Sequence, residues 1–87
     1  MISFDYTIKD PMGFHARPVG IMVKAAAPFK TTKVTVSHNG ATADGKRMFA
    51  VLGLQVNQGE SISISVEGEN EQELADAIRG IFAAENL

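Results

Sequence analysis

The sequence predicts an α+β fold: a two-layer open-faced sandwich in which a four-stranded antiparallel sheet is covered on one face by three helices. Three observations predict it. Stretches that alternate with period two are interleaved with stretches whose apolar residues recur every three or four positions, in the order β-α-β-β-α-β-α. Each strand-like stretch has one apolar and one polar face, as in an antiparallel sheet packed on one side and wet on the other. Finally, 87 residues without a cysteine can bury only one small core, so nearly every apolar position must join it. Residues 1–87 are therefore read as a single domain, with no linker, repeat or low-complexity stretch.

Residues 2–9 alternate cleanly, with Ile2, Phe4, Tyr6 and Ile8 on one side and Ser3, Asp5, Thr7 and Lys9 on the other, a half-buried strand. Asp10-Pro11-Met12-Gly13 ends it, since proline cannot continue a ladder and glycine reaches backbone angles that others avoid. From Ala16 to Ala27 the spacing of Val19, Met22, Val23 and Ala26 is helical, and Pro28 stops the helix. Residues 33–37 read as the second strand, Asn39-Gly40 as a hairpin turn and Ala41 to Ala43 as the short returning strand. A short helix over 47–54 then puts Met48, Leu52 and Val51 on one face, with Phe49 pointing partly elsewhere. Asn57-Gln58-Gly59 turns into the fourth strand, where Ile62, Ile64 and Val66 alternate with Ser61, Ser63 and Ser65. The last helix opens with Asn70 as cap and Glu73 three residues on, a capping box with Asn in place of Ser or Thr. Leu74, Ala77, Ile78, Ile81 and Phe82 form its stripe, and Gly80 within it reads as a close-packing position.

Composition excludes several functions. A net charge of −2 does not provide the dense basic surface that a general nucleic-acid binder needs. The longest apolar runs, such as Met48 to Leu52, are too short to insert in a membrane, and the first residues lack the pattern of a secretion signal. The expected location is the cytoplasm. Without cysteine there is no disulfide, thiolate zinc site or thiol nucleophile, and two histidines without ligand spacing leave no metal site. His38, beside the hairpin turn, reads as a surface residue. No phosphate-loop motif G-x-x-x-x-G-K-[ST] is present, and no cofactor is expected. Arg17, Lys24, Lys46 and Arg47 lie in the first two-thirds of the chain, whereas Glu67, Glu69, Glu71, Glu73 and Asp76 crowd the last third. That asymmetry suits an anionic ligand or an acidic partner, although plain solvation would produce it too.

The chemistry concentrates in Met12-Gly13-Phe14-His15-Ala16-Arg17-Pro18. His15 falls at or next to the N-cap of the first helix, where backbone N–H groups lack acceptors and the helix carries partial positive charge. Arg17 adds a fixed charge whose fork matches phosphate oxygens. Pro18 costs little in a first turn, because its missing donor would have been unpaired there. A neutral imidazole in this position could attack a phosphoryl donor and hold the group over the free amides. The residues alone leave a second reading open, in which His15 is simply a helix cap.

The chain resembles the HPr family, phosphocarriers of the bacterial phosphoenolpyruvate:sugar phosphotransferase system. The residues that carry the match are Gly13-Phe14-His15-Ala16-Arg17-Pro18, followed by Asn39-Gly40, Lys46, Met48 to Leu54, Gly59 and Ile62 to Gly68. The resemblance implies that His15 accepts a phosphoryl group on Nδ1 from enzyme I and passes it to the A domains of sugar permeases. Arg17 would hold the phosphate, and the backbone around Ala16, Arg17 and Pro18 would complete the cradle. Phe14, Lys24, Lys46, Arg47, Met48, Phe49 and Leu52 would form the docking face for both partners, an apolar centre rimmed by cations. It further implies a monomer that works by forming a phosphohistidine rather than as a stand-alone catalyst. The alternative is an HPr-like regulatory module, whose His15 phosphorylation controls protein contacts rather than sugar transport.

Two departures from the family stand out. Many relatives carry a regulatory serine just after the lysine that opens the short second helix, and Arg47 occupies that position here. The only serines are Ser3, Ser37, Ser61, Ser63 and Ser65, so no regulatory serine is expected in that helix. Met12 stands where the family often has a small polar residue, and its side chain cannot donate a hydrogen bond to the phosphate or the ring.

Overall fold

A computed structural model describes residues 1–87. Seven elements follow one another: β1 (Ile2–Thr7), α1 (Ala16–Ala26), β2 (Thr32–His38), β3 (Ala41–Asp44), α2 (Met48–Leu52), β4 (Ser61–Gly68) and α3 (Glu71–Ala84). The four strands form one antiparallel sheet in the order β1-β4-β2-β3. The α+β open-faced sandwich read from the sequence is thus the observed architecture. No helix is long and apolar enough to cross a membrane.

The strand register explains how one face becomes the core. Phe4 pairs with Ile64, Ile64 with Val36 and Val36 with Ala43, so one row of apolar side chains crosses the whole sheet. The next row, Asp5, Ser63, Ser37 and Thr42, lies on the opposite face and is polar throughout. Sequence alternation thus becomes a dry face and a wet one. Helix α1 covers the dry face with Val19, Met22 and Ala26, and α3 with Leu74, Ala75, Ile78 and Phe82. Phe82 is the hub, with Tyr6, Phe14 and Phe4 set around its ring at 5.0, 5.7 and 6.4 Å between centroids.

Several local expectations are corrected. Strand β1 ends at Thr7, not Lys9, because the backbone of Lys9 and Asp10 turns away to donate to the Leu87 carbonyl. Helix α2 covers only Met48–Leu52, and Gln55 takes a positive φ of 53° just beyond it. His38 is buried rather than on the surface, since it continues the inward alternation of Thr32, Val34 and Val36. Its Nδ1 lies 3.2 Å from the Ser61 carbonyl oxygen, so burial leaves the ring paired. Asn70 caps no amide with its side chain: it sits in the left-handed region at φ 57°, and there is no capping box. The Glu71 carboxylate instead reaches back out of the helix and accepts from the N–H of Gly68, the last residue of β4, at 3.4 Å. In α3 the buried alanine is Ala75 and Ala77 is exposed. Gly80 faces open space, with nothing within 4 Å of where a Cβ would stand, so it is no packing site.

Candidate functional site: the His15 loop and the start of helix α1

The loop between β1 and α1 is pinned at both ends. Gly13 has φ +71°, and a Cβ there would come within 2.3 Å of the Val56 carbonyl oxygen, so only glycine fits. The next N–H, that of Phe14, donates to the same oxygen at 3.0 Å. Phe14 itself is buried against Phe82. This corrects its expected place on the docking face: its ring anchors the loop from beneath and offers no surface.

His15 is the N-cap of α1, with extended backbone (φ −96°, ψ −177°) and a carbonyl that accepts from Val19 N–H at 3.2 Å. Its side chain makes no cap hydrogen bond. The N–H groups of Ala16 and Arg17 therefore precede the first intrahelical bond, and Pro18, which is buried, has none to offer. No acidic side chain lies within this first turn, whose N-terminal end carries the positive end of the helix dipole. The His15 side chain keeps 23% of its surface exposed. The ring is thus reachable, beside two amides free to bind an anion.

What holds the ring is a residue that the sequence reading treated only as part of a turn. Asp10 Oδ2 lies 3.0 Å from His15 Nε2, while Oδ1 accepts from the Met12 N–H at 2.9 Å. The Met12 N–H first, and the His15 ring second, hold the Asp10 carboxyl below its ordinary value. The Met12 side chain is exposed and contributes only this backbone donor to the site.

Arg17 is not drawn up to His15. Its Nε donates to Glu85 Oε1 at 2.7 Å, and its side chain is 72% exposed. Glu85 is the C-cap residue of α3, 68 positions away, and no local pattern announced the pair. The rest of the expected docking face divides in two. Met48 packs beside Gly20 of α1, Leu52 is half-buried, and Arg47 and Phe49 are exposed, Phe49 by 85%. Lys24 is exposed but lies in the last turn of α1, and Lys46 points its ammonium at the Phe29 carbonyl beyond that helix. Eleven helical residues rise about 16 Å, so Lys46 flanks the far end of α1 rather than His15. The surface clefts also lie elsewhere, and none is lined by His15. The imidazole is partly exposed and lies outside those clefts.

Comparison with known proteins agrees with this geometry. A family model described as the PTS HPr component phosphorylation site matches residues 2–84. The chain is 36% identical over 87 residues to the phosphocarrier protein HPr of Lysinibacillus sphaericus, covering 100% of this chain and 98% of that one. It is 33% identical over 82 residues to the HPr of Mycoplasma pneumoniae, covering 94% and 93%. Among solved structures, it is similar to a Mycoplasma histidine-containing phosphocarrier protein, with a TM-score of 0.92 at 25% identity over 97% of this chain and 94% of that one. It is likewise similar to HPr from Thermoanaerobacter tengcongensis, with a TM-score of 0.87 at 27% identity over 97% and 93%. The chain belongs to the HPr family, the phosphocarriers of the phosphotransferase system.

Proposed function

We propose that this protein accepts a phosphoryl group on Nδ1 of His15 from enzyme I, which draws it from phosphoenolpyruvate, and delivers it to the A domains of sugar permeases. The observation that carries this reading is a partly exposed imidazole at the N-cap of α1, beside amides without intrahelical acceptors. In the transfer, the Nδ1 lone pair forms the N–P bond while the donor's bond to phosphorus breaks and its electron pair stays with the donor. The amides of Ala16 and Arg17 offer hydrogen bonds to the equatorial oxygens, where charge accumulates. Arg17 exchanges Glu85 for the phosphate, an anion of higher charge that its fork fits. The carrier works as a cytoplasmic monomer, and it takes no serine phosphate in α2, because Arg47 stands at the N-cap and Met48–Leu52 contain no serine.

The test is transfer. Incubation with enzyme I and phosphoenolpyruvate gives an acid-labile phosphate on His15, which then moves to added permease A domains. His15→Ala abolishes the label. Arg17→Ala slows labelling about tenfold or more, the effect of losing a charge-assisted hydrogen bond to phosphate. Undiminished labelling of the His15→Ala protein would refute the site. Stable labelling with no onward transfer to any A domain would favour the regulatory module instead.

A further inference from the structure

We propose that Asp10 is a positioning residue: its carboxylate holds the proton of the neutral His15 ring on Nε2 and so leaves the lone pair of Nδ1 as the nucleophile. A carboxylate oxygen can only accept, so the 3.0 Å contact between Oδ2 and Nε2 requires Nε2 to be the donor. The ring's other nitrogen makes no hydrogen bond within the chain.

The carboxylate is itself held in place. Oδ1 accepts from Met12 N–H at 2.9 Å, the Asp10 carbonyl accepts from Gly13 N–H at 2.8 Å, and the Asp10 N–H donates to Leu87 O at 2.9 Å. Backbone and side chain together aim Oδ2 at the ring. The arrangement is the orienting carboxylate of a catalytic triad, transposed to a carrier.

The consequence for transfer rests on the carrier reading, whereas the proton's location does not. When the Nδ1 lone pair forms the N–P bond, the Nε2 proton stays where it is and the ring becomes cationic. Asp10 then neutralises that charge without any proton having to leave.

Two variants separate positioning from mere anchoring of the turn. In Asp10→Asn the carbonyl oxygen keeps the Met12 N–H, and the amide NH₂ takes the place of Oδ2. It donates to Nε2 and drives the proton to Nδ1, the wrong tautomer. Asp10→Ala loses both bonds and leaves the ring to solvent. If Asp10 only anchored the turn, the asparagine variant would be the milder of the two. Positioning predicts the reverse order. Nitrogen-15 spectra of the His15 ring, recorded where it is neutral, show Nε2–H in the wild type and Nδ1–H in Asp10→Asn. Phosphorylation by enzyme I is slower in Asp10→Asn than in Asp10→Ala, by about tenfold or more. An Nδ1–H wild type, or an asparagine variant phosphorylated as fast as the alanine variant, overturns the proposal. A wild type with Nε2–H that takes no phosphoryl group from enzyme I refutes the carrier reading and leaves the tautomer assignment standing.

Discussion

Arg17 and Asp10 show how much of the site lies in partners rather than in the motif. The Arg17–Glu85 bond is on the surface, and such pairs contribute about 0.2–1 kcal/mol. Freeing Arg17 therefore costs little. Glu85→Ala should accelerate phosphorylation of His15 by no more than about fivefold, measured as the initial rate with enzyme I. A fall in rate would show instead that Glu85 helps the transfer. Asp10 makes a second prediction, about pH. Its folded-state carboxyl is held below the ordinary value, first by the Met12 N–H and then by His15. Its contribution is therefore present above about pH 4 and is lost as pH falls through the lowered value. Thermal melts from pH 6 to pH 2 should show wild-type stability declining more steeply than that of Asp10→Asn. Parallel curves would remove the carboxylate from the account. The position of His15 at the helix start was legible, because glycine, histidine and proline mark a loop-to-helix junction within six residues. The pairing with Asp10 was not, since five residues of turn can aim a carboxylate in many directions. Glu85 could be placed only by packing α3 onto the sheet.

At the scale of elements, period-two and period-3.6 patterns identified all four strands and all three helices, because each buries one face in a single core. The ends were less legible. They depend on hydrogen bonds between distant segments, such as those from Lys9 and Asp10 to Leu87, which leave no local mark. Asn70 and His38 misled for related reasons. Asn70 is as well suited to the left-handed conformation at a turn as to capping, and here the turn out of β4 takes it. His38 looked like a turn residue, but its position in β2 points it inward, where the Ser61 carbonyl satisfies it. Gly80 yields the prediction for this scale. In the interior of α3, with open space where a Cβ would stand, it only weakens the helix. Gly80→Ala should stabilise the protein by about 0.5–1 kcal/mol. That is a rise of several degrees in Tm for a domain of this size. A fall in Tm would mean that the helix surface is not free there.

Across the whole molecule, the polar sheet face and the helical layer have different tasks, and the site belongs to the helical one. The open face carries Ser3, Ser63, Ser65, Asp5 and Thr7, linked across strands by Ser3–Ser65 and Thr7–Ser61 hydroxyl contacts of 3.1 and 2.9 Å. A face this polar is of the kind that an antiparallel sheet turns to solvent. The helical side differs: α1 and α2 pack together at Gly20 and Met48, and Phe49 projects from α2 with 85% of its surface exposed. Arg47 stands exposed at the start of the same helix. An exposed aromatic beside the Arg47 cation suits an acidic partner face, and a few such anchors carry most of the energy of an interface. Folding does not depend on Phe49, since truncating so exposed a ring changes stability by no more than about 0.5 kcal/mol. Phe49→Ala should therefore leave Tm unchanged while raising the KM for enzyme I several-fold. Arg47→Ala should act chiefly through long-range attraction, so its effect should shrink as salt rises from 0.05 to about 0.5 M, where screening is strong. A Phe49→Ala protein with unaltered transfer kinetics would place the docking face elsewhere on the helical layer.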